Sequence, residues 1–461
     1  MIEVLIPEKF TWAKEYCIDY IFKKRYGFDV TIKKHDKKYY LINISIINKS
    51  IKLPDIFFKN ESKQWLKKRN KFNIDIKEFD LDDDIQIKGF GNKIYSIFHN
   101  IEKNIIKFDK EKKTNFLPVD IFGSLFFMFS SYEEYCTDLR DSHLRFSEKH
   151  SCLSNAIYSL PIIDIQIELL WIFCKKSFPN LERKVSNGVI RVTCDIDHPY
   201  SQRSLFIKSK NIVKFLFNKR EYQKKTSILK KIIIKENLNN FDTDYAGLKY
   251  ILNKNQEIGN KVIFYSIPQQ TYWRYDTNLS WKDKKTRIIL NEISKNGNTI
   301  GIHPGYNTYD NLNNFKKTLK FAKKYWPNKK NPPTYIISRQ HYLRWDAQIT
   351  PEILNTLNID EDSSLGFANF PGFRNGTCFP YFLIDLKNEK ITDVTEIPLI
   401  LMESSVFSKN GMNINDPAEA YKFMNELKMK CFNLGGVFTL LWHNSNFTED
   451  FHHEIYENII K

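Results

Sequence analysis

From Asn187-Gly188 onward, short apolar runs of strand length alternate with longer segments of helical period, and this alternation constrains the fold more than any other feature. The strand candidates are Val189–Cys194, Lys261–Ser266, Thr299–Ile302, Tyr335–Ser338, Ile397–Met402 and Val437–Trp442. Helical spacing lies between most of them, at Tyr245–Glu257, Asp283–Lys295, Asn311–Tyr325 and Pro417–Cys431. Strands separated by helices imply right-handed βαβ crossovers and a parallel sheet. The expected fold class is therefore α/β. Closing about seven such strands on themselves makes an irregular (β/α) barrel, and leaving them open makes a doubly wound sheet.

The first part of the chain lacks that rhythm. Phe10 to Lys23 carries apolar residues at helical spacing, and Tyr39 to Ile47 reads as a strand. Lys107 to Asn115 is charged and reads as a loop. Asp120 is placed to cap a helix reaching about Cys136, with Ile121, Leu125, Phe126 and Phe129 on its buried side. A further helix is expected after Pro161. The polar stretch Leu181 to Asn187 marks a boundary. The division expected is an α+β accessory domain over residues 1–187 and the alternating α/β domain over 188–461.

Parallel α/β folds gather reactive groups at the C-terminal ends of their strands. Applied here, that rule picks out Asp195, Asp197 and His198 after the first strand, and His303, Tyr306 and Asn307 after the third. It adds Arg339, His341 and Trp345 after the fourth, and Trp442 and His443 after the last. Any one of these has an ordinary explanation as a turn cap, an ion-pair partner or a core aromatic. Carboxylates and imidazoles converging on one sheet end would instead make a divalent metal site.

These positions resemble the motifs of the polysaccharide deacetylase superfamily, the family-four carbohydrate esterases with a NodB-like domain. Asp195 and Asp197 match in type the base and the metal-binding Asp of the first motif. His303 matches the first ligand of the second motif, Arg339 the base-orienting Arg, and Leu441-Trp442-His443 the Leu-x-His that supplies a general acid. Asp362–Phe367 and Pro371–Thr377 resemble an uncharacterised divergent branch. That branch also carries an N-terminal domain with segments like Tyr132–Tyr135 and Arg140–His143. Two departures stand out. Ile196 separates the two Asp, which keeps both carboxylates on one strand face but leaves open which is base and which is ligand. Asn307 replaces the second His, and an amide oxygen is a weaker zinc ligand, so His341 or His198 is needed as the further nitrogen donor.

The resemblance implies a metal-dependent hydrolase that removes N- or O-acetyl groups from a carbohydrate. Asp195, Arg339 and His443 would be catalytic, and Asp197, His303 and His341 would hold the divalent metal, expected to be zinc. Tyr306, Asn307, Trp345 and Trp442 would meet the sugar. The alternative is a degenerate deacetylase fold that binds a glycan or cell-envelope precursor without hydrolysing it.

Composition narrows the rest. The net charge of +16 comes from lysines scattered along the whole chain among acidic residues, which suits a solvated surface and no specific nucleic-acid partner. Lys-rich Asn218 to Lys235 reads as an exposed helical insertion. The seven cysteines are dispersed and form no C-x-x-C pair, against both a zinc ribbon and a disulfide scaffold. No signal peptide or transmembrane run is visible, so a cytoplasmic location is expected.

Overall fold

The computed structural model describes residues 2–44, 48–100, 104–201, 242–327 and 333–461. The Lys-rich insertion at Asn218–Lys235 and the end of the strand expected to reach Ile47 lie outside the described residues.

The alternating half builds a nine-stranded sheet. In chain order its strands are β1 (Val189–Ile196), β2 (Val262–Ser266), β3 (Thr299–Ile302), β4 (Ile337–Ser338), β5 (Glu361–Asp362), β6 (Tyr381–Asp385), β7 (Lys390–Glu396), β8 (Leu401–Met402) and β9 (Val437–Leu441). Their order across the sheet is β6-β7-β5-β4-β3-β2-β1-β9-β8. Every neighbouring pair is parallel except the β6–β7 hairpin. The last five residues of β1 are buried on both faces, as a central parallel strand requires.

The strand pairings alone leave the sheet open at β8 and β6. Between β7 and β8 the chain bonds to both sides: Ile397 N donates to Asp362 O and Leu399 N to Leu365 O, whereas Ile400 N donates to Thr439 O.

The helices begin and end where their terminal residues dictate. Asp242, Asn311 and Asp416 each cap a helix by accepting a backbone N–H three residues on. The helix Leu312–Tyr325 buries Phe315, Thr318, Leu319 and Ala322, a single stripe at helical period. Pro417–Leu434 stops at Gly435, which takes φ 73°.

Residues before Gly188 form mixed α and β structure. A five-stranded sheet runs Thr31–His35, Ile2–Pro7, Tyr39–Ile44, Lys49–Pro54, Thr114–Phe116, and a three-stranded sheet centres on Lys77–Leu81. Asp120 does cap a helix, yet that helix ends at Phe129. Ser130 Oγ bonds back to Phe126 O and Ser131 turns left-handed at φ 51°, so Tyr132–Cys136 is a separate turn of helix.

One contiguous core spans both parts of the chain. Arg374 pairs with Glu134 at 2.7 Å. Asp164 accepts from Arg25, Thr377 Oγ1 and the Cys378 N–H. All seven cysteines are free, and six are buried. Among the described residues, no helix is long and apolar enough to cross a membrane.

Candidate metal centre

The carboxylates at the end of β1 reach the same end of the sheet. Asp195 lies within the strand and Asp197 is the first residue past it; both line the pocket, while Ile196 between them is buried in the core. Asp195 is 2% exposed and receives Arg339 Nη1 at 2.9 Å. Arg339 is fully buried and spends further donors on Thr193 Oγ1, Ser363 O and Ser363 Oγ. Its guanidinium also lies 4.4 Å from the Tyr265 ring centre. A planar fork with four of its five N–H donors engaged is locked in place, and Asp195 is locked with it.

Asp197, His303 and His341 offer ligand atoms that all lie within 4.8 Å of one another. Asp197 Oδ1 is 3.3 Å from His303 Nε2 and 3.6 Å from His341 Nε2. That oxygen is buried and has no hydrogen-bond partner. Burial opposes ionisation of Asp197, but the surrounding imidazoles of His303, His341 and His443 outweigh it and hold the carboxyl far below its usual range. His303 is shifted up: burial works downward, and Asp195 and Asp197 more than offset it.

The outer ring nitrogens fix which nitrogen is free. His303 Nδ1 donates to Arg339 O at 2.5 Å, and His341 Nδ1 to Asp276 Oδ1 at 2.8 Å. With Nδ1 of each ring committed outward, Nε2 is the nitrogen that each turns toward Asp197. Asp276 is itself saturated by the N–H groups of Thr271, Tyr272 and Tyr306 and by Thr271 Oγ1. Burial raises its pKa, but the bond to His341 and these donors bring it down to about 2. Gly305 makes this approach feasible, since a Cβ there would sit 2.6 Å from Asp276 Oδ2 and 2.4 Å from Thr271 Oγ1. An orphaned carboxylate oxygen between two correctly oriented imidazoles suits a metal cation.

On the other side stands His443, just beyond β9. Its Nδ1 meets Glu403 Oε1 at 2.7 Å, and its Nε2 is 3.8 Å from Asp197 Oδ2. Burial alone would lower the imidazole pKa, but Glu403, Asp197 and Asp195 together raise it to about 10. At neutral pH it is an imidazolium with one N–H free to point into the pocket.

Asp195, Asp197, His303, His341 and His443 line one pocket of about 260 Å³. The remaining expected site residues lie elsewhere. Trp345 and Trp442 are 2% and 0% exposed and do not border the pocket. Trp442 packs on Phe447 and Tyr456 in the core, so in this structure the sugar-stacking expected of the two rings finds both of them turned away from the pocket. Asn307 is off the pocket too, with its N–H donated to Thr271 Oγ1, and His198 does not line it. Tyr306 is buried behind His143, to which its hydroxyl is bonded at 3.1 Å.

Sequence reasoning missed Glu403, Asp276, Tyr342, His143 and Arg145. Glu403 directly follows the expected strand Ile397–Met402, so the strand-end rule applied there would have found it. His143 belongs to the Arg140–His143 segment, noted in the sequence without a role. Asp276 lies ten residues beyond β2 in a loop, where no local signal marks it. Tyr342 follows His341 in a tight turn where Tyr342 and Leu343 take φ 62° and 52°.

A family model described as a family of unknown function (DUF7033) matches residues 2–179, less than half of the chain. No curated protein matches. Among solved structures, a protein assigned as a polysaccharide deacetylase from Mycobacterium smegmatis is similar at 14% identity and TM-score 0.39, covering 60% of this chain and 84% of its own. One assigned likewise from Pseudomonas aeruginosa PAO1 is similar at 10% identity and TM-score 0.38, with the same coverages. The Puue allantoinase is similar at 9% identity and TM-score 0.35, covering 60% and 83%. Scores of this size do not establish a shared topology.

Proposed function

We propose that this protein is a metal-dependent hydrolase of the polysaccharide deacetylase type, releasing acetyl groups from a carbohydrate. The observation that carries the reading is the Asp197 oxygen left without a hydrogen bond between His303 Nε2 and His341 Nε2. Asp197, His303 and His341 would hold the divalent cation, with His341 taking the place that Asn307 cannot fill. A bound cation polarises an acyl carbonyl and lowers the pKa of water.

Asp195 acts as the base. Its carboxylate is fixed by Arg339 and faces the pocket, so it takes the proton of the attacking water without having to reorient. His443 enters as the acid. Glu403 holds its Nδ1 and keeps the ring protonated, so Nε2–H is available to the departing nitrogen or oxygen. Leu343, Met402 and Leu441 are buried close to these groups and give the acyl methyl an apolar wall. The same reading has the sheet closing as an irregular barrel, with the residues between β7 and β8 as the staple from β5 to β9.

The test is metal content together with acetate release from acetylated amino-sugar oligomers and from an aryl acetate. One equivalent of metal and turnover that chelation abolishes are expected. A protein that holds its metal yet releases no acetate from either substrate class sinks the reading.

A further inference from the structure

The wall of the pocket is not built from the alternating half alone. His143 and Arg145, from the part of the chain before Gly188, line it together with the groups described above. Their loop is closed on itself by Asp141, whose carboxylate accepts the N–H groups of His143 and Arg145 and the Arg145 side chain. The loop is also tied to the sheet end from both directions. Arg145 Nη1 donates to Tyr342 O at 2.8 Å, and Arg344 Nε donates to His143 O at 2.9 Å. His143 is therefore held from both sides.

A run of ring contacts leads from the metal centre to it. Centroid distances are 4.9 Å from His303 to His341, 4.8 Å from His341 to Tyr342 and 4.8 Å from Tyr342 to His143. Tyr306 Oη fixes the His143 ring through Nδ1, and Arg344 stacks on the Tyr306 ring at 3.9 Å. The other nitrogen, Nε2, has no hydrogen-bond partner among the described residues, and the residue is partly exposed where it meets the pocket. Burial and then the Arg145 charge lower the imidazole pKa, so the ring is neutral at neutral pH. A neutral imidazole with one nitrogen committed offers a single hydrogen bond, as donor or acceptor according to tautomer. A hydroxyl can satisfy either role, whereas an anion cannot.

Building on the hydrolase reading, we propose that His143 is a substrate-binding residue, its free ring nitrogen hydrogen-bonding a hydroxyl of the sugar that carries the acyl group. The part of the chain before Gly188 thus supplies selectivity for a polyhydroxylated substrate, and the sheet end supplies the chemistry.

The experiment compares the zinc-loaded full chain with His143→Ala, His143→Gln and Tyr306→Phe on tri-N-acetylchitotriose and on 4-nitrophenyl acetate, which is too small to need His143. His143→Ala is expected to raise KM on the oligosaccharide about tenfold, the effect of one lost hydrogen bond, with kcat changed by less than about threefold. Its aryl acetate turnover and zinc content should match the parent. His143→Gln, which keeps a hydrogen-bonding group, should recover most of the loss. Tyr306→Phe should raise the oligosaccharide KM about two- to threefold. If His143→Ala does not fold, the other two variants carry the same comparison. An unchanged oligosaccharide KM, or an equal loss on both substrates, overturns the proposal while leaving the hydrolase reading intact. A parent active on the aryl ester and inactive on the oligosaccharide overturns the sugar assignment. A parent silent on both overturns the hydrolase reading, and this proposal falls with it.

Discussion

Two carboxylates show how differently this molecule treats charge. Asp164, where the two parts of the chain meet, is fully buried, and both its oxygens are occupied by Arg25, Thr377 and the Cys378 N–H. Asp197, at the pocket, is about one-third exposed, sits among three imidazoles, and still has one oxygen without a hydrogen bond. Burial raises the Asp164 pKa even against Arg25, whereas the imidazoles hold Asp197 down. Saturated bonding is what a structural carboxylate needs. A strong local field with a vacant lone pair is what a cation needs, and Asp197 among its imidazoles provides it.

The largest expected effect tests the pocket side. Asp197→Asn should lose the metal and reduce acetate release by about a thousandfold or more, since the cation contributes several kcal/mol to catalysis. Elemental analysis alongside turnover checks it, and retained metal would place the ligand elsewhere.

Next comes the opposite carboxylate. Asp164→Asn strands the buried Arg25 charge and should cost about 3 kcal/mol of stability. A denaturant melt measures this, and metal content per folded molecule should stay unchanged. A metal loss there would erase the distinction between the two sites.

Asp276→Asn should do less than either, weakening metal affinity by about ten- to a hundredfold through His341 without removing a ligand. Competition with a chelator of known affinity gives the number. The smallest effect belongs to Trp273, which is 77% exposed near the loop that carries Asp276. Trp273→Ala should change stability by less than about 0.5 kcal/mol and leave the metal in place. A larger shift would mean that the loop's position depends on its outer face.

Much of this architecture was legible because central parallel strands are apolar on both faces. β1, β2, β3 and β9 announce themselves as short hydrophobic runs, and the residues just past them become the pocket. The signal fails where a strand is held by polar partners. β5 is Glu361–Asp362, two charged residues buried against Arg191 and Ser338, and nothing in its composition reads as a strand. The β6–β7 hairpin escaped notice as well. Trp345 and Trp442 mislead for a related reason: a residue beyond a strand end can turn back into the core, and an aromatic gains most by doing so. Asp276, the partner that orients His341, comes from a distant loop, so only the fold brings the two together.

The turn at Tyr342 and Leu343 has a consequence for descent. Two successive side-chain-bearing residues in the left-handed region cost about 1–3 kcal/mol each, and the clasp across this turn is Arg145, contributed by the other half of the chain. Cut free, the later half would relax at the residue beside His341. The two halves are thus a poor substrate for gene shuffling: neither could be exchanged for a foreign counterpart without disturbing the other, and they should pass through lineages as one inherited unit.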